Sequence, residues 1–340
     1  MRFQPKFFIF VSLPIIAILL ISHNFEDKSR EAINYSEYEV IDNKGKEIIF
    51  EVAKGEYGSE IAKKLEDKGI IKSSKLFYEL ALADNRAKAI APGRYKLSQG
   101  ITSKQALDEL LEPSRLIDKL IIKEGMRLSE IITLLEESGY SDAKVVASSI
   151  KSPESFEFKS LEGFLYPATY SFDSRSSTEE VYAEMIRGFE SVFFDEVKNR
   201  ANTFSNSDIL IIASIIQAEG TPDVFGKIAS VIYNRLKNEI PLQMDSTILY
   251  AEKSRGEIYL PLKSLEIESG YNTYKNLGLP IAPISNPGRE AIHAAVNPEK
   301  GDWLYFVTVE PNDTRFAKNY KDFLKLKRLY QSNYKEGKFN

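Results

Sequence analysis

The chain has 340 residues, 43% of them hydrophobic, and carries 45 basic against 49 acidic side chains for a net charge of −4. It has no cysteine and two histidines, His23 and His293, which excludes disulfides, thiol catalysis and a zinc site built from several Cys or His, and leaves a Ser-His triad to His293 alone. The balanced charge speaks against nucleic acid as the main partner, and no Walker-type or GxGxxG segment asks for a nucleotide, so neither cofactor nor metal is expected.

Residues 1–6 read as a short tail holding Arg2 and Lys6. Residues 7–24 follow without a charge: FFIFVSLPIIAILLIS, then His23 and Asn24. Phe7–Ser22 alone is short of the roughly 20 residues a spanning helix needs. Extension to Asn24, with Lys6 snorkelling, makes a single span. The basic residues before it hold the tail in the cytoplasm and send the rest outward. A cleaved signal peptide is the competing reading, but Ser22-His23-Asn24-Phe25 is no A-x-A-type site. The expectation is an uncleaved single-pass anchor. Residues 25–47 are polar and charged, a juxtamembrane linker.

An internal repeat comes next. EVAKGEYGSEIAKKLEDKGI at 51–70 aligns with IIKEGMRLSEIITLLEESGY at 121–140, matching Gly55/Gly125, Ser59/Ser129, Glu60/Glu130, Ile61/Ile131, Leu65/Leu135, Glu66/Glu136 and Gly69/Gly139. Each copy reads as strand, Gly turn, helix. Ser59 and Ser129 are the expected N-caps, and Gly69 and Gly139 the expected C′ residues. Ser73 to Leu82 predicts a second helix, Ala91 to Leu97 a turn into a strand, and Thr102 or Ser103 the cap of a third helix ending near Leu111. Residues 48–117 thus form a small α/β unit that resembles the LysM-type modules lying along glycan chains. The alternative is a plain spacer, since likeness of fold is weak warrant for binding.

Residues 118–200 form a second α/β unit with a connecting helix. Glu162-Gly163-Phe164-Leu165-Tyr166-Pro167-Ala168-Thr169-Tyr170 reads as an ordered loop. Thr178 to Arg200 is a long amphipathic helix with Val181, Met185, Phe189 and Phe193 on one face, a core stripe.

Residues 201–340 hold the chemistry. Between Asp208 and Glu219 only Gln217 is neither apolar nor small, so this helix belongs in a core. Ser207 is the expected N-cap, Asp208 suits the first turn, and Gly220 with Pro222 ends the helix. Glu219 therefore stands at the negative end of a helix dipole in apolar surroundings. Both raise a carboxyl pKa, as a general acid requires. The plain alternative is a solvated or Lys-paired Glu. Val224 to Lys237 is a further helix with Ile228, Val231, Ile232 and Leu236 inward. Arg289 to Val296 is a short helix, Trp303 to Val309 a strand, and Asp322 to Tyr334 a Lys-rich closing helix.

ASIIQAEG, LQMDSTILY, YNTY, GLP and ISNPG in this order, with EGFLYPATY upstream, resemble the membrane-bound endolytic murein transglycosylases, the YceG-like or MltG family. The resemblance implies an α+β fold: an N-terminal single transmembrane helix, LysM-like α/β subdomains and a C-terminal mixed α/β catalytic domain. It implies a place in the bacterial inner (cytoplasmic) membrane, with the C-terminal domain on the outer side. The implied partners are peptidoglycan glycan strands and cell-wall synthases, and the implied reaction is lytic cleavage of those strands. Glu219 falls on the catalytic acid. Gln243, Asp245, Ser246 and Thr247 fall on one cleft-lining segment, and Tyr271, Asn272, Thr273 and Tyr274 on a second. Ala168, Ile281-Ala282, Thr314 and Phe323 depart from the family's pattern. Asp245, flanked by Gln243 and Ser246, reads as an orienting group or as N-cap of a helix starting near Ser246. Gln243, Asn272 and Tyr274 either hold sugar groups or bond within their loops. Two further readings stay open: a lysozyme-like hydrolase and a non-enzymatic, membrane-anchored peptidoglycan-binding protein.

Overall fold

The structure, a computed structural model, describes residues 45–117, 119–172, 176–255 and 260–339. The expected anchor at 7–24 lies outside the described residues. Within them no helix is long and apolar enough to cross a membrane. The described residues form two compact units. One holds 45–48, Tyr57–Lys88 and Leu97–Leu111; the other holds Ile49–Glu56, Ala89–Lys96 and 112–339.

Strand β1 (Glu47–Val52) is followed by α1 (Gly58–Asp67), α2 (Ser74–Ala83), β2 (Gly93–Ser98) and α3 (Ser103–Leu111). β1 and β2 form a two-stranded sheet. In the first unit Ile61, Leu65, Phe77, Leu107 and Leu110 are buried. Ser73 caps α2 by accepting from Leu76 N–H, and Thr102 caps α3 by accepting from Gln105 N–H.

The second unit continues with β3 (Lys119–Ile121), α4 (Leu128–Glu137), α5 (Ala143–Ser149), β4 (Thr169–Ser171), α6 (Thr178–Val197), α7 (Asn206–Glu219), α8 (Phe225–Lys237), α9 (Asp245–Ala251), α10 (Arg289–Val296), β5 (Tyr305–Glu310), β6 (Asp313–Ala317) and α11 (Tyr320–Lys335). β3 pairs antiparallel with β4, Leu120 opposite Tyr170, and β5 pairs antiparallel with β6. Helices dominate and all named sheets are two-stranded, so the fold is mixed α+β.

Two cores fill this unit, and α6 serves both. Its first half gives Val181, Tyr182 and Met185 to a core with Leu120, Ile131, Leu135 and Leu161. Its second half gives Phe189 and Phe193 to a larger core around α7, α8 and α10. Ile209 through Ile216 of α7 are all buried, each large apolar side chain contributing about 1.5–3 kcal/mol. Ser214 is the polar exception. Its hydroxyl donates to Ile211 O at 2.7 Å and accepts from Ile284 N–H at 3.1 Å, so no polar group is stranded.

Several cap positions differ from expectation. α1 and α4 begin before Ser59 and Ser129, at caps Tyr57 and Arg127. Glu60 and Glu130 reach back to those residues' N–H groups at 3.0 and 2.8 Å, which starts each helix two residues early. Likewise Ser205, not Ser207, caps α7, in a reciprocal pair with Asp208. Gly220 is extended (φ −157°) rather than left-handed. It is needed for space: a Cβ there would lie 2.4 Å from Ile228 Cδ1. Gly55 and Gly125 share φ 76°, and Gly69 and Gly139 are left-handed C′ residues as the repeat requires. The two copies differ in exposure. Tyr57 is 73% exposed, whereas its counterpart Arg127 is 9% exposed and donates to Ser254 O at 2.8 Å.

Candidate active site

Glu219 is the last residue of α7 and lies against the first turn of α9. Ser246 N–H donates to Glu219 Oε1 at 3.2 Å. Protein atoms crowd the carboxyl, while the residue as a whole keeps intermediate solvent exposure. Burial pushes the carboxyl up to about 7. Hydrogen bonding from Ser246 opposes the rise, and the nearby Asp245 carboxylate adds to it. The Ser246 side chain is buried beside the Glu219 carboxyl.

Asp245 opens α9 as its first residue, with Met244 at the cap position and no side-chain cap; the N-cap reading of Asp245 is therefore corrected. Its Oδ1 instead accepts from the Tyr274 hydroxyl. Burial, and then the Asp245 charge, push the Tyr274 phenol up, so it stays a donor. Gln243 is exposed at φ 51°, its N–H donating to Thr273 O at 3.0 Å. Glu219, Asp245, Ser246, Tyr274 and Gln243 thus gather at one place.

Other expected site residues sit behind this surface. Asn272 is fully buried. Its amide donates to Leu265 O and Ile267 O at 2.9 and 2.8 Å, and its Oδ1 accepts from Tyr274 N–H at 2.9 Å. Thr247 and Thr273 pair at 2.9 Å, and Thr273 Oγ1 accepts from Met244 N–H. The two threonines staple the two segments together, and Asn272 ties up the second from within. Tyr271 is half-buried with its ring 4.8 Å from that of Tyr250.

Sequence reasoning missed Arg235, buried on α8. Its Nε donates to Leu304 O at 2.6 Å and its Nη1 to Pro241 O and Leu242 O at 3.0 Å, with Gln243 Oε1 at 3.4 Å. It fixes the backbone leading into Gln243 and Asp245. Its signal was a charged residue on the inward face of α8, one turn after Val231 and Ile232. The departing positions have structural partners: Ala168 O accepts from Ile122 N–H, Ile281 N–H donates to Gly270 O, Thr314 pairs with Thr308 across β5 and β6, and Phe323 stacks on Tyr305 at 5.0 Å.

The sequence profile of the YceG-like family matches residues 50–328. An endolytic murein transglycosylase of Bacillus subtilis (strain 168) is 34% identical over 312 residues, 84% of this chain and 85% of that protein. One from Streptococcus pneumoniae (strain ATCC BAA-255 / R6) is 30% identical over 320 residues, 82% of this chain and 58% of that protein. The crystal structure of a YceG-like protein from Listeria monocytogenes superposes with a TM-score of 0.55 at 31% identity, covering 84% of this chain and all of that one.

Proposed function

Because this chain belongs to the YceG-like family, we propose that Glu219 is the single acid and base of its reaction. The chain is a peptidoglycan-cleaving lytic transglycosylase, a lyase. The finer reading is cleavage of the β-1,4 bond between N-acetylmuramic acid and N-acetylglucosamine within nascent strands, leaving 1,6-anhydro ends and terminating strand elongation.

The observation that carries it is one carboxyl at the end of a buried helix, raised by burial to about 7 while its residue keeps partial solvent exposure. Glu219 gives its proton to the glycosidic oxygen as the C1–O bond breaks and the electron pair leaves with that oxygen. The muramic C6 hydroxyl then attacks C1, and its proton returns to Glu219. No water is consumed. The nucleophile is already tethered, so a second carboxylate to activate water is unnecessary. Ser246 N–H stabilises the carboxylate between the two transfers. Asp245, held by Tyr274, orients rather than donates.

Asp245 beside Glu219 is also what a hydrolase reading would use. Products separate the two: anhydro ends mean lyase, reducing ends mean hydrolase. Glu219→Gln should lower turnover 10²–10⁴-fold with an unchanged circular dichroism spectrum. A rate near that of the unaltered chain would remove Glu219 from the role. The single-pass anchor at 7–24, the LysM-like binding role of 48–117 and contact with cell-wall synthases belong to the same proposal. A mature mass lacking the first two dozen residues would refute the anchor.

A further inference from the structure

We propose that Glu162, the acid that opens EGFLYPATY, is a positioning residue that sets α9 and Tyr271 beside Glu219 through Tyr250. This rests on the reading of Glu219 as the acid. Glu162 is 3% exposed and held by neutral donors from three separate segments. Oε1 accepts from Leu128 N–H at 2.9 Å and from the Asn286 amide at 3.2 Å, and Oε2 accepts from the Tyr250 hydroxyl at 3.0 Å. A buried carboxyl is costly, the Arg127 and Arg255 charges offset only part of that cost, and such groups concentrate at working sites.

What Glu162 fixes is the far end of α9. Tyr250 is clamped by its hydroxyl on Glu162 and by the Arg127 guanidinium 5.1 Å over its ring. Arg127 is itself anchored on Ser254 O at 2.8 Å. α9 is only seven residues long, and its first residue is Asp245, the group read as orienting the substrate. A pin at one end of so short a rod sets the other. Tyr250 also packs on and hydrogen-bonds with Tyr271, which belongs to the second cleft-lining segment. Through Tyr250 the one carboxyl thus reaches both α9 and Tyr271.

The test uses the full-length chain in detergent with purified uncrosslinked glycan strands. Tyr250→Phe removes one hydroxyl and keeps the ring; Glu162→Gln keeps the volume and the acceptor for Leu128 N–H. Each should raise KM five- to tenfold with kcat within twofold of the unaltered chain. The double variant should be no worse than either single one, because both cut the same link. Unchanged kinetics, or a fall in kcat alone, overturns the proposal. Should Glu162→Gln fail to fold, Tyr250→Phe decides alone. Glu219→Gln runs alongside. If that control stays active, the acid assignment fails. If it is dead while Tyr250→Phe behaves normally, only the role of Glu162 fails.

Discussion

Glu219 and Glu162 are both raised from 4.5 to about 7, by burial first in each case. Between those values the folded protein holds protons that the unfolded chain has released. The slope of stability with pH is therefore negative: these groups cost nothing below about 4.5, and stability falls as pH rises towards 7. For the buried Glu162 the loss is on the order of 3 kcal/mol above pH 7. Melting followed from pH 4 to 9 should flatten in Glu219→Gln and in Glu162→Gln; an equally steep decline in both would contradict the assignment. Turnover follows the same proton, since the acid step needs Glu219 protonated, and should drop about tenfold per unit well above pH 7. The place of Glu219 at the end of a buried helix was legible because an apolar run ending in one acid is a patterned signal. Glu162 was not: a lone Glu in a loop has no periodicity, and its burial comes from partners more than thirty residues away, Leu128, Tyr250 and Asn286.

Helix α7 has two ends with different duties. Ser205→Ala removes the cap roughly 20 Å from the carboxyl and should cost about 1 kcal/mol without touching kcat. Gly220→Ala adds a Cβ at 2.4 Å from Ile228 Cδ1 and 3.0 Å from Val224 Cγ2. It should cost about 1–3 kcal/mol and reduce kcat at least tenfold, because the strain falls on the residue next to the acid. Melting temperature and turnover measured together distinguish the two; equal kinetic loss in both would refute the argument. Apolar periodicity placed α8 and α10 to within a residue and the start of α6, which ends three residues before the expected Arg200. Capping is where the reading slipped. Ser-x-x-Asp at 205–208 competed with the tidier Ser207-Asp208, and the reciprocal pair won. Strand β6 went unseen because five residues with Asp, Thr and Arg among them have no apolar alternation, and β5 alone brings them into register.

At the level of the whole chain, the α+β class and the repeat were readable, since composition, glycine spacing and helix signals all agreed. What the repeat does was not, because identity of sequence says nothing about which copy gains neighbours. The second copy has been built into the machinery: Arg127 clamps Tyr250 and Glu130 takes a bidentate grip on Arg255. In the first copy Tyr57 stands 73% exposed. Arg127→Ala should therefore lower both stability, by about 2 kcal/mol or more, and affinity for strands, while Tyr57→Ala should leave stability within about 0.5 kcal/mol. Equal penalties at the two sites would show that the copies have not diverged. Duplication followed by capture of one twin frees the other from the constraints of catalysis, so inherited variation should collect on the Tyr57 face and be purged from the Arg127 one. Surveying natural variants at those two positions would read that history directly.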